Sequence, residues 1–427
     1  MSAIETGTYT EFSTIVHGRA EPRRVPVNGT IEVTNRCPLT CQHCYNNLPM
    51  NDFVARAREM TLDDHKRLLD ELADLGCLWL LYSGGEIFAR RDFLDIYSYA
   101  KRKGFLITLF TNGTMITEKI ADFLVDMRPF TIEITLYGGT KETYEKLTGI
   151  PGSYDLCMRG IDLLLERGLP LKLKTVALSI NKHEIPLMRQ MAADRGVEFT
   201  FDAMINPRID CSASPLAVRL RPSEIVELDL DSPDRVSEWR RLARDHSPLP
   251  FVEGAARQIY ECGGGINSFA IDPYGDLSIC VLSHVDTYNV RDGNFREGWE
   301  NYLLAVRTRE VTRPTKCLGC GIKSMCGMCA ANGELENGDA ESPVDFLCQV
   351  AHLRAETLDI EVPAHGDCEY CQGGSQHEVV RTAAEALKSG EAERIAAIPY
   401  EPEMRPAAAG CGTGSCGSCS ITSAVAQ

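Results

Sequence analysis

Cys37, Cys41 and Cys44 are separated by three and two residues in the run Asn35-Arg36-Cys37-Pro38-Leu39-Thr40-Cys41-Gln42-His43-Cys44-Tyr45. Three thiolates on so short a loop can hold three irons of a cubane [4Fe–4S] cluster, leaving the fourth iron open to a small molecule. Clusters that only carry electrons are normally held by four cysteines, so three point to ligand binding at iron. The same spacing suits a zinc knuckle with a distant fourth ligand.

Other polar groups fall at intervals of one β-α unit. Ser83-Gly84-Gly85-Glu86 combines glycines, which let backbone approach a ligand closely, with a carboxylate able to accept from an ammonium group. Thr111-Asn112-Gly113 and Thr135-Leu136-Tyr137-Gly138-Gly139 follow later apolar runs. Lys172, Lys174 and Thr175 are further pocket candidates. His43 reads as an exposed residue, and the nine histidines as scattered. No nucleophile-base pairing is assigned.

The elements that must position these residues are legible. Apolar runs at residues 30–34, 78–82, 106–110, 131–136, 171–178 and 197–201 read as strands, with helical patterns between them. Residues 61–75 place Leu62, Leu68, Leu69, Leu72 and Leu75 on one face, with Thr61 and Asp64 as a capping box and Gly76 as the stop. Residues 92–103 and 153–167 repeat the pattern. Six β-α units imply a parallel sheet with outer helices, an open barrel or a doubly wound sheet. Ligands of such sheets sit beyond the C-terminal strand ends, where the cysteine loop and the Gly-Gly-Glu turn fall. Residues 206–255 read as a bridge with one helix starting near Ser223. Residues 376–397 read as a helix, and the Pro/Ala/Gly/Ser-rich stretch 401–427 as disordered.

The chain has 427 residues, 44% hydrophobic, and a net charge of −16, which argues against nucleic acid or an anionic membrane as partner. No apolar run approaches the ~20 residues of a membrane span, and the first 27 residues hold no signal-peptide core. The expected compartment is the cytoplasm. Eighteen cysteines there imply metal or cluster binding rather than disulfides. Cys77, Cys157 and Cys211 stand alone and read as small buried hydrophobes.

The C-x3-C-x2-C loop beside Tyr45, followed one unit later by Gly84-Gly85-Glu86, resembles the radical S-adenosylmethionine (radical SAM) enzymes. The resemblance implies a partial (β/α)6 TIM-like barrel and a [4Fe–4S] cluster on Cys37, Cys41 and Cys44. It implies S-adenosylmethionine bound by Ser83, Gly84, Gly85, Glu86, Thr111, Asn112 and Thr135, with Glu86 on the methionine amino group. Relatives carry Ser-Leu-Asp-Gly where this chain has Thr135-Leu136-Tyr137-Gly138, so Tyr137 is a departure.

Further on come Cys262, Gly275-x4-Cys280, Cys317-x2-Cys320-x5-Cys326-x2-Cys329 and Cys348. Paired C-x2-C runs also make zinc sites. Here they resemble the seven-cysteine SPASM domain of peptide-modifying radical SAM enzymes, with x2 in place of x3 before Cys329. That resemblance implies two auxiliary [4Fe–4S] clusters, one on Cys317, Cys320, Cys326 and Cys348, the other on Cys262, Cys280 and Cys329. Cys368, Cys371, Cys411, Cys416 and Cys419 have no counterpart; a further metal, sulfur relay and an inert role are the alternatives, and inert is the expectation.

The domains read as 1–28, an N-terminal extension; 29–205, the radical SAM core; 206–255, the bridge; 256–365, the SPASM domain; and 366–427, a helical then disordered tail. The resemblance implies reductive cleavage of S-adenosylmethionine to a 5′-deoxyadenosyl radical that abstracts hydrogen from a ribosomally made peptide. An electron donor such as flavodoxin or ferredoxin, and a separate leader-peptide-binding protein, are the expected partners. Two alternatives are a small-molecule enzyme acting on a tetrapyrrole and a non-catalytic electron carrier. A pure carrier needs neither an open iron nor Glu86.

Overall fold

The structure, a computed structural model, describes residues 8–245 and 257–391. Tail residues Cys411, Cys416 and Cys419 lie outside them, as does the end of the expected helix 376–397. Packing divides the chain into two units, 1–202 with 260–309, and 203–259 with 310–427.

The first unit is built on a sheet whose six parallel strands run in chain order. They are β1 (Asn28–Glu32), β2 (Trp79–Ser83), β3 (Leu106–Thr111), β4 (Thr131–Thr135), β5 (Leu171–Val176) and β6 (Glu198–Asp202). All six expected strands are present, and helices fill the intervals between them. Three further strands, β7 (Ser268–Ile271), β8 (Asp276–Ser278) and β9 (Tyr288–Asn289), extend the sheet beyond β1. Strand β7 runs parallel to β1, and β8 and β9 follow antiparallel.

Side chains alternate across the pleat. Leu80, Tyr82, Ile107, Leu109, Ile132, Ile134, Leu171 and Leu173 are buried on one face of the strands. The other face is only half covered and carries polar groups, among them Ser83, Glu133, Thr135 and Lys174. The helix Leu62–Asp74 buries Leu68, Leu69 and Leu72. Its capping box forms as read, Asp64 N–H donating to Thr61 Oγ1 at 3.1 Å and Thr61 N–H to Asp64 Oδ2 at 2.9 Å. The expected extension is a helix, Tyr9–Ala20, whose His17 ring stacks on Trp79 at 5.0 Å.

The second unit is helical and cysteine-rich. Two helices, Pro222–Leu230 and Pro233–Asp245, occur where the bridge was read with one. The first of them joins Asp345–Thr357 and His377–Ser389 around a buried ion pair, Arg354 Nε to Asp229 Oδ2 at 2.8 Å. The packing thus draws domain lines differently from the sequence. Residues 260–309 join the core sheet because β7 hydrogen-bonds to β1, and the bridge helices pack with the last third of the chain. Among the described residues, no helix is long and apolar enough to cross a membrane.

Candidate functional site

The cysteine loop leaves the C-terminal end of β1, where Glu32 pairs with Ser83 of β2. Cys37 and Cys41 are buried and Cys44 half-buried. The loop is fastened on both sides. Thr40 N–H and Gln42 N–H donate to the carbonyls of Thr148 and Leu147, at 2.9 and 3.3 Å. Tyr45 Oη–H and Asn46 Nδ2 donate to the buried Glu32 carboxylate at 2.5 and 2.8 Å. Arg36, which precedes the first thiol, forms a buried ion pair with Glu59 at 2.9 Å.

The Gly-Gly-Glu turn lies against this loop. Gly85 N–H donates to the Thr34 carbonyl at 2.7 Å and Glu86 N–H to the Arg36 carbonyl at 3.0 Å. A Cβ on Gly84 would fall 2.2 Å from Thr34 O, and one on Gly85 2.5 Å from Arg36 O. Only glycine fits there. The backbone that these glycines let approach is the loop's own, a role that spacing alone did not indicate.

Glu86 and the Thr111-Asn112 turn come together as read. Thr111 Oγ1–H donates to the Glu86 carboxylate at 2.7 Å, Asn112 N–H at 2.8 Å and Phe88 N–H at 3.2 Å. A carboxylate has about four acceptor positions, so one is left. Burial pushes the Glu86 carboxyl up to about 7, against these hydrogen bonds. Asn112 Oδ1 accepts from Thr114, which turns its Nδ2 toward Cys37 Sγ at 3.5 Å. Leu39 N–H also points at that sulfur, at 3.4 Å. Burial, then the neighbouring Glu86 charge, pushes the Cys37 thiol up to about 12. Burial, then Cys44, pushes the Cys41 thiol well above its ordinary range. Two buried thiols of the loop, Cys37 and Cys41, that resist ionisation by themselves, with N–H groups aimed at the Cys37 sulfur, suit a cationic iron centre that supplies the missing charge.

Several expectations change. His43 is not exposed but half-buried, with Nδ1 fully covered; this burial lowers its pKa to about 4, and it packs on Tyr137 at 5.3 Å between centroids. The Tyr137 hydroxyl acts on the Cys41 thiol, holding it down against the rise that burial causes, so the departing residue sits on the cysteine loop. Thr135 lies on the half-covered sheet face beside Lys174, which pairs with Glu133 at 3.2 Å. Burial lowers Lys174 to about 8. Thr175 is buried on the opposite face and is not part of that pocket. Cys77 and Cys157 are buried, but Cys211 is half-buried at φ 63° in a turn, not a core residue.

In the second unit, Cys317, Cys320, Cys326 and Cys348 line one cavity, joined by Lys316, His352, His365 and Cys368. Cys329 is exposed and lies outside that lining. Cys262 and Cys280 belong to the first unit, the former exposed and the latter half-buried. Sequence reasoning missed His352 and His365. The signals were present: His352 stands one helical turn after Cys348, and His365 opens an H-x2-C-x2-C run.

Residues 31–192 match the Radical SAM superfamily. The chain carries a radical SAM domain. It is an enzyme with a radical SAM domain, and proteins of that superfamily use a [4Fe–4S] cluster and S-adenosylmethionine. The chain is 29% identical over 381 residues to the PqqA peptide cyclase of Bradyrhizobium diazoefficiens, covering 88% of this chain and 94% of that protein. It is 26% identical over 324 residues to the AdoMet-dependent heme synthase of Methanosarcina barkeri, covering 72% and 92%. Streptococcus suis SuiB, solved bound to S-adenosylmethionine, shares the fold of the radical SAM chain. The TM-score is 0.57 at 17% identity, covering 78% of this chain and 79% of SuiB.

Proposed function

We propose that the chain oxidatively modifies or crosslinks a ribosomally made peptide. The observation that carries this reading is the extent of the match to a peptide cyclase, 88% of this chain, which reaches beyond the radical SAM domain into the cysteine-rich unit. Cys37, Cys41 and Cys44 would hold the cluster, and the remaining acceptor position of Glu86 would take the ammonium group of S-adenosylmethionine. Held there, the cluster and S-adenosylmethionine would supply the radical chemistry, reductive cleavage of the cofactor and hydrogen abstraction from the substrate.

The chain's own residues hold and enclose these groups. Thr111 and the Asn112 amide orient Glu86, Asn112 and Leu39 direct N–H groups at Cys37, and the Glu32 clamp fixes the far side of the loop. Ser83, Thr135 and Lys174 offer polar contacts on the half-covered face. The cavity of Cys317, Cys320, Cys326 and Cys348 suits an auxiliary cluster of a SPASM domain that accepts the substrate's electron. Cys262 and Cys280 of the first unit are proposed as ligands of a second. Flavodoxin or ferredoxin would deliver the reducing electron, and a separate protein would present the leader peptide.

A second reading, modification of a tetrapyrrole, is favoured by the match to a heme synthase over 72% of this chain. Parallel anaerobic incubations with precursor peptides encoded near this gene and with iron porphyrins separate the two. Turnover of a porphyrin with every peptide left intact overturns the peptide reading.

A further inference from the structure

His352, His365, Cys368 and Cys371 each bring one ligand atom to within 4.8 Å of the other three. The measured edges are 3.4 Å from Cys368 Sγ to His352 Nε2, 3.7 Å from Cys371 Sγ to His352 Nε2, and 3.3 Å from Cys371 Sγ to His365 Nδ1. Zinc bound tetrahedrally, with Zn–S of about 2.3 Å and Zn–N of 2.0–2.1 Å, sets a sulfur-to-nitrogen edge of about 3.6 Å. All four residues are at most 9% exposed. We infer that this Cys2His2 set is a structural zinc site.

The surroundings fit that assignment. His352 Nδ1–H donates to the Cys348 carbonyl at 2.8 Å, which leaves the Nε2 lone pair facing the thiols. A fixed tautomer of this kind is the usual support of a metal-binding histidine. His365 Nδ1 lies 3.0 Å from the Pro363 carbonyl, where its proton rests until a cation replaces it. The C-x2-C turn is tight: Cys371 N–H donates to Cys368 O at 3.4 Å and Gly374 N–H to Cys371 O at 2.8 Å. A Cβ on Gly374 would fall 2.4 Å from Glu369 O, so the turn closes only with glycine there. Of the residues between the two cysteines, the buried Tyr370 reaches the helix Asp345–Thr357, its Oη–H donating to Asp345 Oδ2 at 2.7 Å, and Glu369 pairs with Lys316 at 2.9 Å.

Spacing separates this set from the cluster ligands. Among the described residues, no other group of three or more His, Cys, Asp or Glu residues converges this closely. Cys317, Cys320, Cys326 and Cys348 stand further apart around their cavity, as a cubane with four irons requires and one ion does not. Two thiolates and two imidazoles with no open position make a closed site, which is structural rather than catalytic. Bound zinc ties the loop 365–371 to the helix that carries Cys348. It also commits Cys368, which borders the cluster cavity, to an ion of its own. The assignment does not depend on the substrate.

The test uses the full chain, purified anaerobically with its clusters reconstituted and assayed for zinc and iron. The expected result is about one zinc per chain, with X-ray absorption at the zinc edge giving two sulfurs at about 2.3 Å and two nitrogens at 2.0–2.1 Å. Cys368→Ser with Cys371→Ser should lower zinc by roughly tenfold or more and leave iron unchanged. Replacing Cys411, Cys416 and Cys419 by serine should leave zinc in place. Zinc-free protein, a zinc shell of four sulfurs, or zinc lost with the tail cysteines overturns the assignment. So does iron lost while zinc stays in the Cys368/Cys371 variant. Should that variant fail to fold, the absorption spectrum of the wild-type protein decides alone.

Discussion

The Thr111 hydroxyl and the Glu86 carboxylate are joined inside the protein at 2.7 Å, one strand apart at the C-terminal edge of the sheet. Together with Asn112 they link the Gly-Gly-Glu turn to Cys37 through a continuous set of hydrogen bonds. Glu86→Gln keeps the shape and removes the charge. A hydrogen bond to a charged group contributes about 1.5–3 kcal/mol. The variant should therefore bind S-adenosylmethionine roughly 10- to 100-fold more weakly by equilibrium dialysis. Thr111→Val should weaken it less, since Asn112 and Phe88 still hold Glu86. Unchanged affinity in Glu86→Gln would remove this carboxylate from the cofactor site.

Replacing Cys37, Cys41 and Cys44 together by alanine should abolish 5′-deoxyadenosine formation while the visible absorbance of the other clusters persists. Wild-type protein should hold about three [4Fe–4S] clusters and the variant about two. Continued cofactor cleavage in the variant would contradict the placement of the reactive cluster.

Tyr137 packs on the half-buried His43 ring, and its hydroxyl acts on the Cys41 thiol, within reach of a hydrogen bond once that sulfur binds iron. Hydrogen bonds to cluster sulfurs help set the reduction potential. Tyr137→Phe removes the hydroxyl and keeps the ring. Iron content should stay the same, and the potential of the S-adenosylmethionine-binding cluster should fall in a redox titration followed by electron paramagnetic resonance. An unmoved potential would show that the hydroxyl does not reach the cluster sulfur.

His65 is fully buried on the inner face of the sheet-covering helix Leu62–Asp74, and neither ring nitrogen has a hydrogen-bond partner. Burial, then the Arg90 charge, lowers its pKa to about 3 from an ordinary 6.5. The unfolded chain therefore takes up a proton that the folded one refuses. The stability associated with the neutral ring is complete above pH 6.5 and is lost as pH falls toward 3. His65→Leu should stabilise the protein by about 1–3 kcal/mol near neutral pH, the cost of an unpaired buried polar group. It should also flatten the fall in melting temperature on acidification. A lower melting temperature at every pH would contradict this.

How much of this was legible depended on whether a feature is local. Strands β1 to β6 and the helix Leu62–Asp74 were legible because apolar periodicity and the Thr61–Asp64 cap are short-range signals. The cysteine loop and Glu86 were legible because each lies in a compact motif. Strands β7 to β9 were not, because strands of two to four residues owe their existence to the edge of β1, some 240 residues earlier in the chain. Burial of His43 depends on Tyr137 across the sheet end, and no spacing within the loop shows it. The pairing of His352 with His365, Cys368 and Cys371 required the turn that brings the loop back onto the helix.

The peptide-modifying reading is tested most directly by mass spectrometry of precursor peptides encoded near this gene. Each would be incubated anaerobically with the reconstituted protein, S-adenosylmethionine and a reductant. The expected result is a peptide lighter by pairs of hydrogen atoms, with 5′-deoxyadenosine formed in step with the modification and neither product made by the Cys37/Cys41/Cys44 variant. Peptides returned unchanged while an iron porphyrin is converted under the same conditions would contradict it.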